Sequence, residues 1–430
     1  MKRFSFVFLL IIWFASSCNF FKKPIIEPKE AELSELLSQA QIVLAKALSS
    51  YDIAMTTAMW TQQITGLSGD PLYRYNYVYN SSDVNNIWSD LYSGVMKNCD
   101  SIIKLSEKKN AYYYKGVAKI LYALALGNTT DLFGDIPYSQ AFMERYPVYD
   151  SQQQVYNAIF ELLDEGISIL QAAEPGDLEL EGDVIYNWDV QKWIKAAYTI
   201  KARYMMHLNK VSSVDYNQVL IYLSNGLESL DDDMKLIFYL QNEIPPIYSY
   251  LRQNSGIGNN VKFQSFLSHY SDPRITSLGY DGFWARQDAY FPFVQYTEAL
   301  FLKSEAYWRL GDEAMAKENL KLAVQASMQK YVINDEQWYN DYCNGVDTLT
   351  FDTLIYEIAI QKYIDGLYHP ETFVDWRRLH YPNLEPVAGD NIARRFPYAQ
   401  IELDYNENAP EQVDVFTPVW WDVIDTTKNN

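Results

Sequence analysis

The sequence predicts an all-α protein built from helix pairs. Three observations carry that prediction. Apolar residues recur at i, i+3, i+4 and i+7 along much of the chain, the periodic segments follow one another in twos, and one pair has the spacing of a tetratricopeptide repeat.

The first segment, Glu30 to Tyr51, places Leu33, Leu36, Leu37, Ala40, Val43, Leu44, Ala47 and Leu48 on one face of an amphipathic helix. The same pattern covers Val84 to Leu105, Ala111 to Leu126, Ser151 to Ala172, Val190 to Leu208 and Tyr216 to Leu230. Tyr296 to Leu310, Glu313 to Tyr331 and Phe351 to Leu367 complete the series. In "EALFLKSEAYWRLGDEAMAKENLKLAV" the repeat positions are Leu300, Ser304, Tyr307, Gly311, Ala316, Leu320 and Ala323. Small residues stand where two helices cross closely, and glycine stands where the chain reverses. The other pairs are less regular, so a degenerate, decorated solenoid is expected. Four stretches read as irregular: Thr61 to Ser82, Tyr239 to Phe293, Val332 to Thr350, and Pro382 to the C-terminus. Loops that long on a compact scaffold are usually functional.

At the N-terminus, Lys2 and Arg3 precede an apolar run from Phe4 to Phe14, then Ala15, Ser16, Ser17 and Cys18. The run is too short to span a bilayer and reads as a secretory signal over residues 1–17. A cysteine after small residues resembles the bacterial lipobox, although Ala15 stands where that pattern prefers leucine. Cys18 is therefore the expected lipidation site, residues 18–29 the tether, and residues 30–430 the folded domain. Cys99 falls on a helical apolar series and Cys343 in the polar "DYCNGVD", read as a turn, and both are expected as free thiols.

The chain has 430 residues with 35 Lys+Arg against 55 Asp+Glu, a net charge of -20 and no basic stripe. A nucleic-acid partner, which needs clustered positive charge, is not expected. Motifs for catalysis are sparse. His207, His269, His369 and His380 form no close ligand pair, and "GIGNN" and "GLSGD" read as turns. Asp131 and Asp135 in "TTDLFGDIPYS" read as a capped turn, and Asp375 with Arg378 as a surface salt bridge. A glycosidase reading rests only on the abundance of carboxylates, and no enzymatic activity is expected. No cofactor is predicted. Calcium remains open, because scattered oxygen ligands leave no sequence mark.

Aromatic residues make up 16% of the chain, including 36 Tyr and 11 Trp. The stretch "YRYNYVYN" puts Tyr73, Tyr75, Tyr77 and Tyr79 at alternate positions, which in an extended chain share one face. Rings of this kind stack on the apolar face of a sugar while neighbouring polar groups meet its hydroxyls. The ladder, with Trp60 before it and Asp70, Arg74, Asn76 and Asn80 around it, is one candidate platform. "YDGFWARQDAYFPF", with Tyr280, Phe283, Trp284 and Tyr290, is the other. The alternative is a strand whose tyrosines pack on a helix layer. Tyr73 and Tyr75 are assigned to the platform, and Tyr77 and Tyr79 to packing. The candidate ligand residues are thus Trp60, Asp70, Tyr73, Arg74, Tyr75, Asn76, Trp284 and Tyr290.

Several blocks in order, "YYYKGVAKILYALALGNTTDLFGDIPYSQA", "PVYDSQQQVYNAIFELLDEGISIL", "NWDVQKWIKAAYTIKARYMMHLNKV", "LIYEIAIQKYIDGLYHPETFVDWRRLHYPNL" and "RRFPYAQIELDYNENAP", resemble the SusD/RagB family of outer-membrane lipoproteins. The resemblance covers most of the mature chain. It implies about four tetratricopeptide-like pairs forming a superhelical scaffold, with a loop-rich half that carries the ligand site. It also implies a non-enzymatic role at the outer membrane: capturing nutrients, usually glycans, and capping a SusC-like TonB-dependent transporter. Family ligand sites have no fixed motif, so the resemblance carries over no binding residue. A scaffold that binds peptides or proteins in its tetratricopeptide groove is the alternative reading.

Overall fold

A computed structural model describes residues 32–173, 181–253, 256–279 and 281–424. The predicted signal, Cys18, the tether and Tyr280 lie outside the described residues.

Helix α1 (Leu33–Leu48) is followed by a wide turn at Tyr51–Met55, the short α2 (Thr56–Trp60) and strand β1 (Ile64–Gly66). Helices α3 (Gly69–Tyr75), α4 (Asn85–Ser89) and α5 (Lys97–Lys109) come next, the last two joined by a widened helical segment at Asp90–Met96. Helix α6 (Tyr112–Phe133), strands β2 (Ile136–Pro137) and β3 (Tyr149–Asp150), and helices α7 (Gln152–Ala172), α8 (Val190–His207) and α9 (Tyr216–Ser224) continue the scaffold. The insertion that follows holds β4 (Met234–Ile237), α10 (Pro246–Gln253), β5 (Ile257–Asn259), α11 (Val261–His269), α12 (Ile275–Leu278) and β6 (Tyr290–Val294). Helices α13 (Tyr296–Arg309), α14 (Glu313–Lys330), α15 (Glu336–Thr348), α16 (Phe351–Asp365), α17 (Glu371–Leu379) and α18 (Gln400–Tyr405) complete the chain. The strands form three antiparallel pairs, β1–β5, β2–β3 and β4–β6.

Four helix pairs carry the fold: α1 on α5, α6 on α7, α8 on α9 and α13 on α14. Helices α6 and α7 meet backbone to backbone, because a Cβ on Gly116 would lie 3.2 Å from the Gly166 carbonyl and one on Gly166 3.0 Å from the Gly116 carbonyl. The α13–α14 pair matches the repeat spacing. Gly311 turns the chain at φ +81, Ser304 Oγ donates to the Ala316 carbonyl at 2.7 Å, and Ala316, Leu320 and Ala323 are fully buried. An ionic network ties the pairs together. Arg203 and His207 on α8 meet Glu298 of α13, Glu371 of α17 and Asp131 of α6.

Helix appears in all four stretches that read as irregular: α3 within 61–82, α10 to α12 within 239–293, α15 within 332–350, and α18 beyond Pro382. The apolar stripes of these helices are narrow. Only Tyr342 and Val346 are buried on α15, and only Phe263 and Leu267 on α11, so a window search for a full face misses them. Cys343 consequently sits in a helix rather than a turn, and it and Cys99 are free thiols. Asp375 and Arg378 pair at 2.8 Å, but both are buried, because Arg378 also forks onto Glu305 of α13. That pair is a core tie between α17 and α13, not surface decoration.

Candidate ligand-binding site

The tyrosine ladder is not a strand. Ser68 precedes α3 with extended backbone, and Pro71 lies in the first helical turn, where its missing N–H costs nothing. The helix ends after Tyr75: the Tyr77 N–H donates to the Arg74 carbonyl, the Val78 N–H to that of Tyr73, and Tyr77 takes φ +64. These two bonds around a left-handed residue are a Schellman stop, which turns Tyr79 inward. Strand β1 seats the helix from below. A Cβ on Gly66 would fall 2.0 Å from the Pro71 carbonyl oxygen, so only glycine lets α3 lie this close. Pairing of β1 with β5 brings Asn260 beside α3, where its Nδ2 donates to Thr65 Oγ1 and to the Tyr75 hydroxyl, both at 3.0 Å.

The helical period separates the side chains of α3 into an outward and an inward set. Tyr73 is 61% exposed, flanked by exposed Leu72. Arg74 is buried and braces the base. It pairs with Asp52 at 2.8 Å and with Asp70 at 2.9 Å, and its guanidinium lies over the rings of Tyr51 and Tyr79 at 4.1 and 4.7 Å. Tyr51 donates to Asp70 Oδ2 at 2.6 Å and stacks on Tyr250 of α10, with ring centroids 4.2 Å apart. Burial, with the bond to Asp70, pushes the Tyr51 hydroxyl far above the usual tyrosine range, so it stays a neutral donor. Burial also raises the Asp52 carboxyl, against the opposing pull of Arg74.

Trp60, expected at a loop platform, is fully buried. Its Nε1 donates to the Arg74 carbonyl at 3.0 Å, and its ring packs edge-on against Tyr79, Phe373 and Phe396. It stacks on no ligand in this arrangement and instead supports α3 from beneath. Tyr77 and Tyr79 are buried, while Tyr75 and Asn76 are half-buried at the end of the helix. The structure therefore gathers Trp60, Asp70, Tyr73, Arg74, Tyr75 and Asn76 in one place, with Tyr73 as the exposed ring and the others bracing or edging it. Arg74 is likewise a brace rather than a ligand contact, since its fork is consumed by two carboxylates.

A sequence model of the SusD-like family, described as "Starch-binding associating with outer membrane", matches residues 26–282 and 249–399. The chain belongs to this SusD-like family. Among curated proteins no relative matches. Solved structures do. A SusD/RagB family protein from Bacteroides thetaiotaomicron shares 25% identity with a TM-score of 0.75, covering 91% of this chain and 99% of its own. A protein described as chitin-binding shares 23% identity with a TM-score of 0.78, covering 91% and 100%. A chitin-binding SusD homologue from Flavobacterium johnsoniae shares 21% identity with a TM-score of 0.72, covering 91% and 97%. SusD-like proteins are binding proteins rather than enzymes, and they associate with the outer membrane.

Asp131 and Asp135 of this SusD-like chain are both engaged within the fold. Asp131 is buried, accepting from the Tyr156 hydroxyl at 2.5 Å and from Trp421 Nε1 at 2.8 Å, and Asp135 caps the start of α7 through the Gln152 N–H. Among the described residues, no group of three or more His, Cys, Asp or Glu is placed to hold a metal ion, and no helix is long and apolar enough to cross a membrane.

Trp284 and Tyr290 form a separate group. Trp284 is 6% exposed, set edge-on to Tyr368 and Phe283, with its Nε1 buried and without a hydrogen-bond partner. Tyr290 opens β6, with its ring against Phe283 and under Lys235 Nζ at 5.0 Å. The Phe283–Ala285 turn packs beneath α10, so Trp284 backs the site rather than facing a ligand. Sequence reasoning missed Tyr51, Asp52, Tyr250 and Asn260. The available signal was Asp70 and Arg74 at i, i+4 behind "SGDP", which marks a helix start and would have turned the ladder into a helix with an inward face.

Proposed function

We propose that the chain is a surface-exposed lipoprotein, anchored through Cys18, that captures oligosaccharide and passes it to a SusC-like TonB-dependent transporter. The family description and the chitin-binding names of two structural neighbours support the ligand class. The lipobox-like N-terminus supports the anchor.

The observation that carries the site is Tyr73, an exposed ring on a helix whose underside is locked by Arg74, Asp52, Asp70 and the Tyr51–Tyr250 stack. A pyranose stacks its C–H face on Tyr73, while the Asp70 carboxylate and the Asn76 amide accept and donate at its hydroxyls. Because the platform is rigid before binding, little ordering entropy opposes capture.

Calorimetric titration with starch and chitin oligosaccharides tests this reading. Tyr73→Ala is expected to weaken binding by up to about tenfold with Tm unchanged, the ring being exposed. Binding untouched by the substitution removes Tyr73 from the site, and absence of any glycan binding by wild type refutes the ligand class. Hand-over predicts that a large β-barrel co-purifies with the tagged protein from outer membranes.

A further inference from the structure

The loop entering α8 is fixed from both sides. Asp183 is buried, and its Oδ1 accepts from Gln41 Nε2 of α1 at 2.9 Å and from the Ile185 and Tyr186 N–H groups. Its Oδ2 accepts from Trp193 Nε1 of α8 at 2.8 Å and from the Trp188 N–H at 3.2 Å. Gly182 lies so near α1 that a Cβ there would stand 2.2 Å from the Ser34 carbonyl oxygen.

Within this fixed loop Asn187 and Trp188 take φ +46 and +77 in succession. Asparagine tolerates the left-handed region, but a bulky side chain with a Cβ does so only at a cost. Burial does not offset that cost, because Trp188 remains 47% exposed. It stands on the wall of a groove of about 700 Å³ that is also lined by Asn187, Lys192, Asp231, Leu240 and Gln241. Neither backbone preference nor core packing accounts for a tryptophan at this position. An exposed ring beside amide, ammonium and carboxylate groups has the amphipathic character of a sugar-binding surface. Charges of both signs line the groove, so it is not built for one strongly charged ligand.

We propose that this groove is a second glycan subsite, in which the Trp188 indole stacks on a pyranose ring and Asn187, Asp231 and Gln241 meet its hydroxyls. The proposal rests on the glycan reading of the α3 site and extends it to a ligand of several residues. The segment that lines the groove at Leu240 and Gln241 runs on into α10, which carries Tyr250 of the first site, and exposed Tyr239 lies on the same segment. A glycan chain long enough to reach from Trp188 to Tyr73 would engage both places, whereas a monosaccharide fills one.

Calorimetric titration of the protein with di-, tetra- and hexasaccharides of starch and chitin, for wild type, Trp188→Gly and Tyr73→Ala, tests the subsite. Trp188→Gly is the informative variant, because glycine accepts a positive φ and the fold keeps its loop. The expected result is hexasaccharide affinity lowered by up to about tenfold in Trp188→Gly, with Tm unchanged or raised. Unchanged affinity in Trp188→Gly beside weakened binding in Tyr73→Ala overturns the second subsite and leaves the first standing. Weaker binding with a lower Tm also overturns it, since the indole would then be holding the loop. Absence of binding to any of these oligosaccharides by wild type overturns the glycan reading and the subsite with it.

Discussion

Replacing His207 by glutamine tests whether the scaffold is held by a buried charge. The imidazole lies between Glu371, whose Oε1 is 2.7 Å from Nε2, and Asp131, whose Oδ2 is 3.3 Å from Nδ1. Burial alone would lower its pKa, but the two carboxylates outweigh burial and raise it from 6.5 to about 9. A raised pKa means that the folded state holds the proton more tightly than the unfolded chain. The resulting stability is fully present below about pH 6.5 and is lost as pH rises through about 9, with a full value of about 3 kcal/mol. In the variant, Asp131 keeps the Tyr156 hydroxyl and Trp421 Nε1 as donors, and Glu371 keeps the charge of Arg203 at 3.8 Å and meets the glutamine amide in place of the imidazole. Lys210, lowered to about 8 by burial, titrates in the same window but is common to both proteins and cancels in their difference. His369, lowered to about 4 by burial, stays neutral throughout. Urea unfolding at about pH 6 and about pH 9.5 should therefore show the gap between wild type and His207→Gln closing by about 3 kcal/mol. An equal gap at both pH values would mean that His207 is neutral in the folded protein and that its contacts with Glu371 and Asp131 are not ion pairs.

Gly66→Ala should displace α3, because the new Cβ meets the Pro71 backbone at 2.0 Å. A loss of about 2 kcal/mol in urea unfolding is expected, with glycan affinity of the folded fraction falling alongside it. Trp284→Phe removes a buried indole N–H that has no partner while keeping the ring against Tyr368, so stability should stay within about 1 kcal/mol of wild type and glycan affinity should not change.

The helix pairs were legible because most of their helices bury a wide stripe. From α6 to α8 and from α13 to α14, the apolar period extends over whole helices, and no distant residue is needed to place them, while α9 buries only Val219 and Leu223. The site was less legible because its parts come from separate stretches. Tyr250 reaches Tyr51 only after α10 has been positioned, and Asn260 reaches Tyr75 only through the β1–β5 pairing, contacts across 199 and 185 positions that no local pattern encodes. Arg378 misled for a related reason. Its i, i+3 carboxylate suggested an exposed pair, whereas its second partner, Glu305, is 73 positions away and takes both charges into the core.

The tyrosine run shows how residues that do fall close together can be expected in the wrong conformation. Period two places all four rings on one face of a strand, where only position along the strand could set Tyr73 and Tyr75 apart from Tyr77 and Tyr79. In α3 the period is 3.6, and the stop after Tyr75 inserts a left-handed residue, so each ring takes its own direction. Tyr73 points to solvent, Tyr75 reaches Asn260, Tyr77 accepts from the Val387 N–H, and Tyr79 donates to the Asp52 carbonyl. Three of the rings are spent on holding α3, β5 and the C-terminal segment together. The fourth is left free on a surface that those three make rigid. The same logic holds in the loop before α8, where Asp183 carries the structure and Trp188 is exposed at the groove.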